Sequence, residues 1–159
     1  MRSASDDRVE PTVAILAPVP RDVLNDAHRW KPGGEVAFGT RAGMVFAELE
    51  AMRASHRVRV FIYASHDETA PRPRRVTWSG EYVGLEEGVG GRHPDEATYR
   101  SPLAREDGLD YWLVFWHVIG LRQLSEHEQT LISTIRGHGR RTPYSRSFEP
   151  EGPLLIEPI

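Results

Sequence analysis

The alternation of apolar and polar positions along this chain predicts most of its elements before any chemistry is considered. TVAILA at 12–17 is a continuous apolar run of strand length, and Pro18 and Pro20 are expected to stop it. Residues 21–30 can form a short helix ahead of the KPGG turn, and GEVAFG at 34–39 reads as a short strand or extended link. Between Arg41 and His56, with Thr40 placed to cap, Met44, Val45, Phe46, Leu49 and Met52 recur at three- and four-residue spacing. That spacing predicts a helix with one buried face. RVRVFIYAS at 57–65 alternates and then turns wholly apolar, so it reads as a strand, and the proline-broken stretch after it leads into VTWSGEYVGL at 76–85. In this next strand Trp78, Gly80, Tyr82 and Gly84 are expected on one face, the glycines allowing a bend.

Residues 86–108 are rich in Gly, Pro and acids and predict a loop with at most one helical turn, around 95–99. YWLVFWHVIGL at 111–121 has two apolar faces: Tyr111, Leu113, Phe115, Ile119 and Leu121 on one, Trp112, Val114, Trp116 and Val118 on the other. A central strand covered on both sides fits this pattern. Ser125 and Glu128 form the S-x-x-E signature of a capping box, predicting a helix to about Arg136 with Gly137 at its end. GPLLIEPI at 152–159 supplies a last strand, and residues 1–11 read as a disordered tail. The order predicts an α+β fold, with a mixed sheet of five or six strands that closes and helices inserted early and late. Regular βαβ alternation and a Gly-rich phosphate loop are both missing, which argues against a doubly wound nucleotide fold.

Composition narrows the class. The 159 residues fit one domain over 12–159, long enough to bury roughly 68–70% of the unfolded surface without staples. With no cysteine there is neither a disulfide nor a thiolate metal site. The N-terminus lacks the pattern of a signal peptide and no window is apolar enough to span a bilayer, so a cytoplasmic protein without a membrane partner is expected. The net charge of −3 is unevenly spread. Arg72, Arg74 and Arg75 form one basic cluster and Arg136, His138, Arg140, Arg141 and Arg146 another, with a group of acids from Glu81 to Asp110 gathered between them. Every basic residue except Lys31 is arginine, which suits planar, bidentate contact with phosphate.

VRVFIYAS at 58–65 with VTWSGEYVGL at 76–85 resembles the strand pair of PUA-like domains, particularly the ASCH and EVE branches. YWLVFWHVIGLRQLS at 111–125 resembles the strand of those families that leads into a helix, and the resemblance covers roughly residues 34–136. It implies a PUA-like pseudo-barrel that binds RNA or DNA, in the EVE-like branch with a pocket holding a modified base between aromatic rings. Some ASCH-like proteins instead hydrolyse modified nucleosides, with a glycine and a lysine near the first helix. The matching stretch here offers Gly39, Thr40 and Arg41 without that lysine, and Lys31 lies in the preceding turn. This amidohydrolase role, using Thr40, Arg41 or Lys31, is one alternative; a dimerisation or protein-interaction module built on the tryptophans is another.

The candidate nucleic-acid-binding residues follow from what holds a base. Trp78, Tyr82 and Trp112 can stack on it, each stacked base being worth roughly 1–3 kcal/mol. Ser65 and His66 end a strand where a polar tip meets a ligand edge. Arg41, Arg140 and Arg141 can grip phosphate, and Tyr144, in the RGHGRRTPYSR stretch at 136–146, adds a ring. Trp116 is expected to pack under a helix and Trp112 to border the ligand. His117, alone in an apolar strand, reads as a core histidine. No H-x-H or H-x-x-x-H spacing and no G-x-S-x-G motif is present, so neither a metal, a cofactor nor a nucleophilic serine is expected.

Overall fold

The computed structural model describes residues 12–106 and 112–159. The expected tail at 1–11 and the start of the aromatic segment at Tyr111 lie outside the described residues. Six strands make one mixed sheet: β1 (Ala14–Pro20), β2 (Val36–Thr40), β3 (Val58–Ser65), β5 (Trp78–Glu87), β6 (Val114–Gln123) and β8 (Leu154–Ile156). Their order is β2-β6-β5-β3-β1-β8, with β1 parallel to β3 and the other neighbours antiparallel. A two-stranded ribbon joins β4 (Arg75–Val76) to β7 (Thr130–Leu131). The sheet curls into a half-barrel, and β2 and β8 are its two edges rather than partners that close it.

Helices α1 (Arg21–Trp30) and α2 (Gly43–Arg53) fill one side of the sheet. Leu24 and Ala27 of α1 and Phe46 and Leu49 of α2 join Ile15, Val60, Ile62, Tyr82, Trp116 and Val118 in the main core. The stripe on α2 is narrower than its spacing predicts, because Met44 and Met52 face solvent. A second core on the opposite face gathers Leu16, Tyr63, Val76, Leu124, Ile132, Ile135 and Ile156 under the ribbon and the C-terminal segment. Two short helices, α3 (Glu96–Tyr99) and α4 (Pro102–Glu106), follow β5, one more than the predicted single turn. Among the described residues no helix is long and apolar enough to cross a membrane.

Three local expectations are corrected. β1 runs through Pro18 to Pro20, because its pairing with β8 ends at Leu16 while its pairing with β3 continues. Beyond Leu16 it has a neighbour on one side only, where a missing N–H costs no ladder bond. The helix expected at 125–136 is replaced by 3-10 turns at Glu126–Glu128 and Ile132–Thr134, separated by β7. The capping box does form, but the β-branched run that follows extends to pair with β4 and drops Ile132 and Ile135 into the second core. Finally, the faces of β5 and β6 do not alternate uniformly. The register slips between Ser79 and Glu81 and again between Tyr82 and Gly84. Gly120 takes φ +64°, so Leu121 joins Trp116 and Val118 on the main-core face, where strict alternation placed it opposite them.

Candidate functional site

The two incompletely paired margins of the sheet, edge strand β2 and the end of β1, meet in one cleft of about 730 Å³. From β1 it takes Pro18 and Pro20, from the β2 side Gly39, Thr40, Arg41 and Ala42, and from the end of β3 Tyr63, Ser65 and His66. Trp112 and an edge of Trp116 line it from the β6 side, Arg74 contributes from the stretch before β4, and residues 149–153 complete it. Clefts of about 300–1,000 Å³ are the usual size for small-molecule sites.

Trp112 is held in this cleft by its backbone and by the residue beneath it. Its N–H donates to the Gly91 carbonyl (3.2 Å), and the next N–H, of Leu113, donates to the Thr40 carbonyl (3.1 Å), extending the β2–β6 ladder. The half-buried indole then lies on the backbone of Gly39. A Cβ at that position would stand 2.4 Å from the indole Cγ, so only hydrogen fits under the ring. The result is a flat apolar platform facing a cleft whose other walls mix prolines with polar side chains.

The opposite wall is built around Arg74. This buried guanidinium donates to the Asp67 carbonyl (2.8 Å) and to Glu149 Oε1 (3.3 Å), and it lies over the Tyr63 ring at 5.8 Å. Burial, and after it the charge of Glu149, pushes the Tyr63 phenol above its ordinary range, with Arg74 and Arg72 pulling weakly the other way. The hydroxyl therefore keeps its proton. The Asp67 carboxylate is held below its usual range, chiefly by the hydroxyl of Thr69, which donates to Oδ1 at 2.6 Å. His66 follows with φ +54°, a left-handed conformation that is uncommon for a side chain with a Cβ. Strain of this kind persists where surrounding structure enforces it, and here it turns the chain at the rim of the cleft.

Five of the residues singled out in the sequence come together in this cleft: Thr40, Arg41, Ser65, His66 and Trp112. Trp78, Tyr82, Arg140, Arg141, Tyr144 and Lys31 do not line it. Trp78 is buried edge-on against His28, at 5.6 Å between ring centroids, and Tyr82 is wholly buried on Phe46 with its hydroxyl donating to Glu50. Both are core residues with no face to offer a ligand. Tyr144 stacks on Phe148 against the second core, with centroids 4.4 Å apart, and Arg140 lies over it; neither they nor Arg141 lines the cleft. Lys31 is also elsewhere, donating to the carbonyls of Glu35 (3.0 Å) and Thr98 (2.6 Å). Trp116 and Trp78 are buried, which leaves them unable to form an interface of tryptophans. Sequence reasoning missed Gly39 as the seat of Trp112, and it missed Tyr63, Arg74 and Glu149. Arg74 carried a signal as part of the RPRR cluster; Glu149 carried none.

The loop that delivers Trp112 is itself anchored by a buried chain of polar groups. His93 reaches His117 on β6, and His117 reaches Glu35 beside β2. His117 is thus a core histidine with both ring nitrogens engaged. Among the described residues no group of His, Asp and Glu side chains is arranged to hold a metal ion. Comparison of the chain with protein-family models, with curated proteins and with solved structures gave no match.

Proposed function

We propose that this chain is a PUA-like nucleic-acid-binding domain that takes one unstacked base, flipped or modified, into the cleft at the seam of its half-barrel. The observation that carries the reading is the indole of Trp112 laid on Gly39, with Arg41, Ser65, His66 and Arg74 around the same cavity. A base needs a flat apolar surface for its face and hydrogen-bonding groups for its edge. Trp112 offers the first. Ser65, His66 and the protonated Tyr63 hydroxyl offer the second, and Arg41 and Arg74 supply positive charge for the backbone that carries the base. Stacking tolerates any base, so the edge contacts decide which one is preferred.

The test is binding of short single-stranded RNA and DNA by fluorescence anisotropy, with wild type and Trp112→Ala compared. Loss of one stacking contact of about 1–3 kcal/mol weakens binding roughly 5- to 150-fold. Equal affinity for the two proteins would remove the cleft from the interface, and absence of binding to either polymer would remove the reading.

A further inference from the structure

Beside the cleft runs a second, basic groove of about 360 Å³, lined by Arg72, Pro73, Arg74, Arg146, Ser147 and Glu149. It shares Arg74 and Glu149 with the cleft, so the two form one continuous surface. The groove brings Arg146, from the second arginine cluster, beside Arg72 and Arg74 of the first, positions more than seventy residues apart in the sequence. Its centre is a single oxygen. Glu149 Oε1 accepts from Arg72 Nη1 at 2.9 Å and from Arg74 Nε at 3.3 Å, while Arg146 lines the same groove. Two guanidinium groups therefore share one carboxylate oxygen and a third lines the same groove, leaving the groove with excess positive charge.

We propose that this groove is the path of the nucleic-acid backbone leaving the cleft, and that Glu149 occupies it as an internal counter-anion which a phosphodiester displaces. The inference rests on the reading of the cleft as a base site and adds to it where the strand runs. A phosphodiester carries the same charge as a carboxylate and presents oxygens to the same planar donors. Arg74 is buried and fixed by its bond to the Asp67 carbonyl, so it acts as the preset donor. Arg72, with 71% of its side chain exposed, and the exposed Arg146 are free of burial and can follow the strand. Glu149, one-third exposed and on the segment between Phe148 and Pro150, can swing toward solvent when the phosphate arrives. A free anionic ligand would find the same donors, but the continuity with a base-sized aromatic cleft favours a polymer backbone.

The experiment measures the affinity of a short fluorescein-labelled single strand at several salt concentrations for four proteins: wild type, Arg72→Ala/Arg146→Ala, Glu149→Gln and Trp112→Ala. Removing both exposed arginines is expected to weaken binding and to flatten the log–log salt slope by about 0.7 per lost contact. Glu149→Gln, which keeps an acceptor for Arg74 but removes the competing charge, is expected to bind severalfold more tightly. Trp112→Ala is expected to weaken binding with the slope intact. An unchanged slope in the double variant, or a Glu149→Gln protein no tighter than wild type, overturns the groove proposal. If Trp112→Ala still weakens binding in that case, the cleft reading stands without it. If neither wild type nor Glu149→Gln binds the strand at low salt, both fall together.

Discussion

His93 Nε2 and His117 Nε2 face each other at 2.9 Å, and the partners at either end of the pair dictate where its protons lie. The Asp95 N–H donates to His93 Nδ1 at 2.8 Å, so that nitrogen is bare and Nε2 carries the hydrogen of a neutral ring. Nε2–H then donates to His117 Nε2, which leaves the proton of neutral His117 on Nδ1, directed at Glu35 Oε2 2.8 Å away. One direction of donation runs from backbone to carboxylate.

This arrangement makes folding stability depend on acidity. Burial, and after it the neighbouring His117, holds His93 below its ordinary value of 6.5, with Arg100 acting in the same direction and Glu86 and Glu96 against it. The unfolded chain takes up the proton near that ordinary value and the folded chain resists it. Stability is therefore full above about pH 6.5 and falls as the pH drops toward the lower folded value, by at most about 1.4 kcal/mol per pH unit for this one group. Denaturant midpoints measured across that range should show the decline, and His93→Asn, which keeps an acceptor for the Asp95 N–H, should reduce it.

Trp116 and Trp112 should separate cleanly on substitution. Trp116 is 1% exposed and stacks on Phe46 of α2 with ring centroids 5.9 Å apart, so its replacement by alanine should cost about 3–5 kcal/mol of folding stability. Trp112→Ala should leave the denaturant midpoint near that of wild type while reducing affinity for single strands. Two proteins destabilised to the same extent would contradict this division.

Gly39→Ala tests the platform without touching the indole. The added methyl occupies the place of the ring, so the ring must lift or the strand must shift, an overpacking cost of about 1–3 kcal/mol. Affinity should fall toward that of Trp112→Ala, read in the same anisotropy titration.

His66→Gly should set stability against function. Glycine accepts φ +54° without the penalty of about 1–2 kcal/mol that a Cβ incurs there, but it raises the entropy of the unfolded chain by a partly offsetting amount. Thermal stability should hold or rise slightly while binding weakens, because the imidazole at the rim is gone. A drop in stability would show that His66 is kept for packing.

How far the residues alone determine this protein follows from how local each signal is. The helix of α2 is legible because Phe46 and Leu49 repeat at helical spacing within a few turns, and β3 and β6 are legible because their apolar runs need no partner to be recognised. The α+β class follows from the order of such segments. What fails is whatever depends on residues far along the chain. The capping box at Ser125 begins a turn, yet the next residues extend because β4, more than fifty positions earlier, is there to pair with them. A bulge at Gly120 moves Leu121 to the other face, since alternation holds only while the register does. Trp78 and Tyr82 have the chemistry of a base site but stand on the face that α1 and α2 cover. The candidate cleft draws on Pro18, Gly39, His66, Arg74, Trp112 and Glu149, whose meeting is set by the curl of the sheet. Residue type and short-range spacing could nominate Arg41, Ser65, His66 and Trp112. Only tertiary structure could bring them together, because they come from the ends of three different strands, β2, β3 and β6, and the distances between strand ends are decided by pairing and curvature.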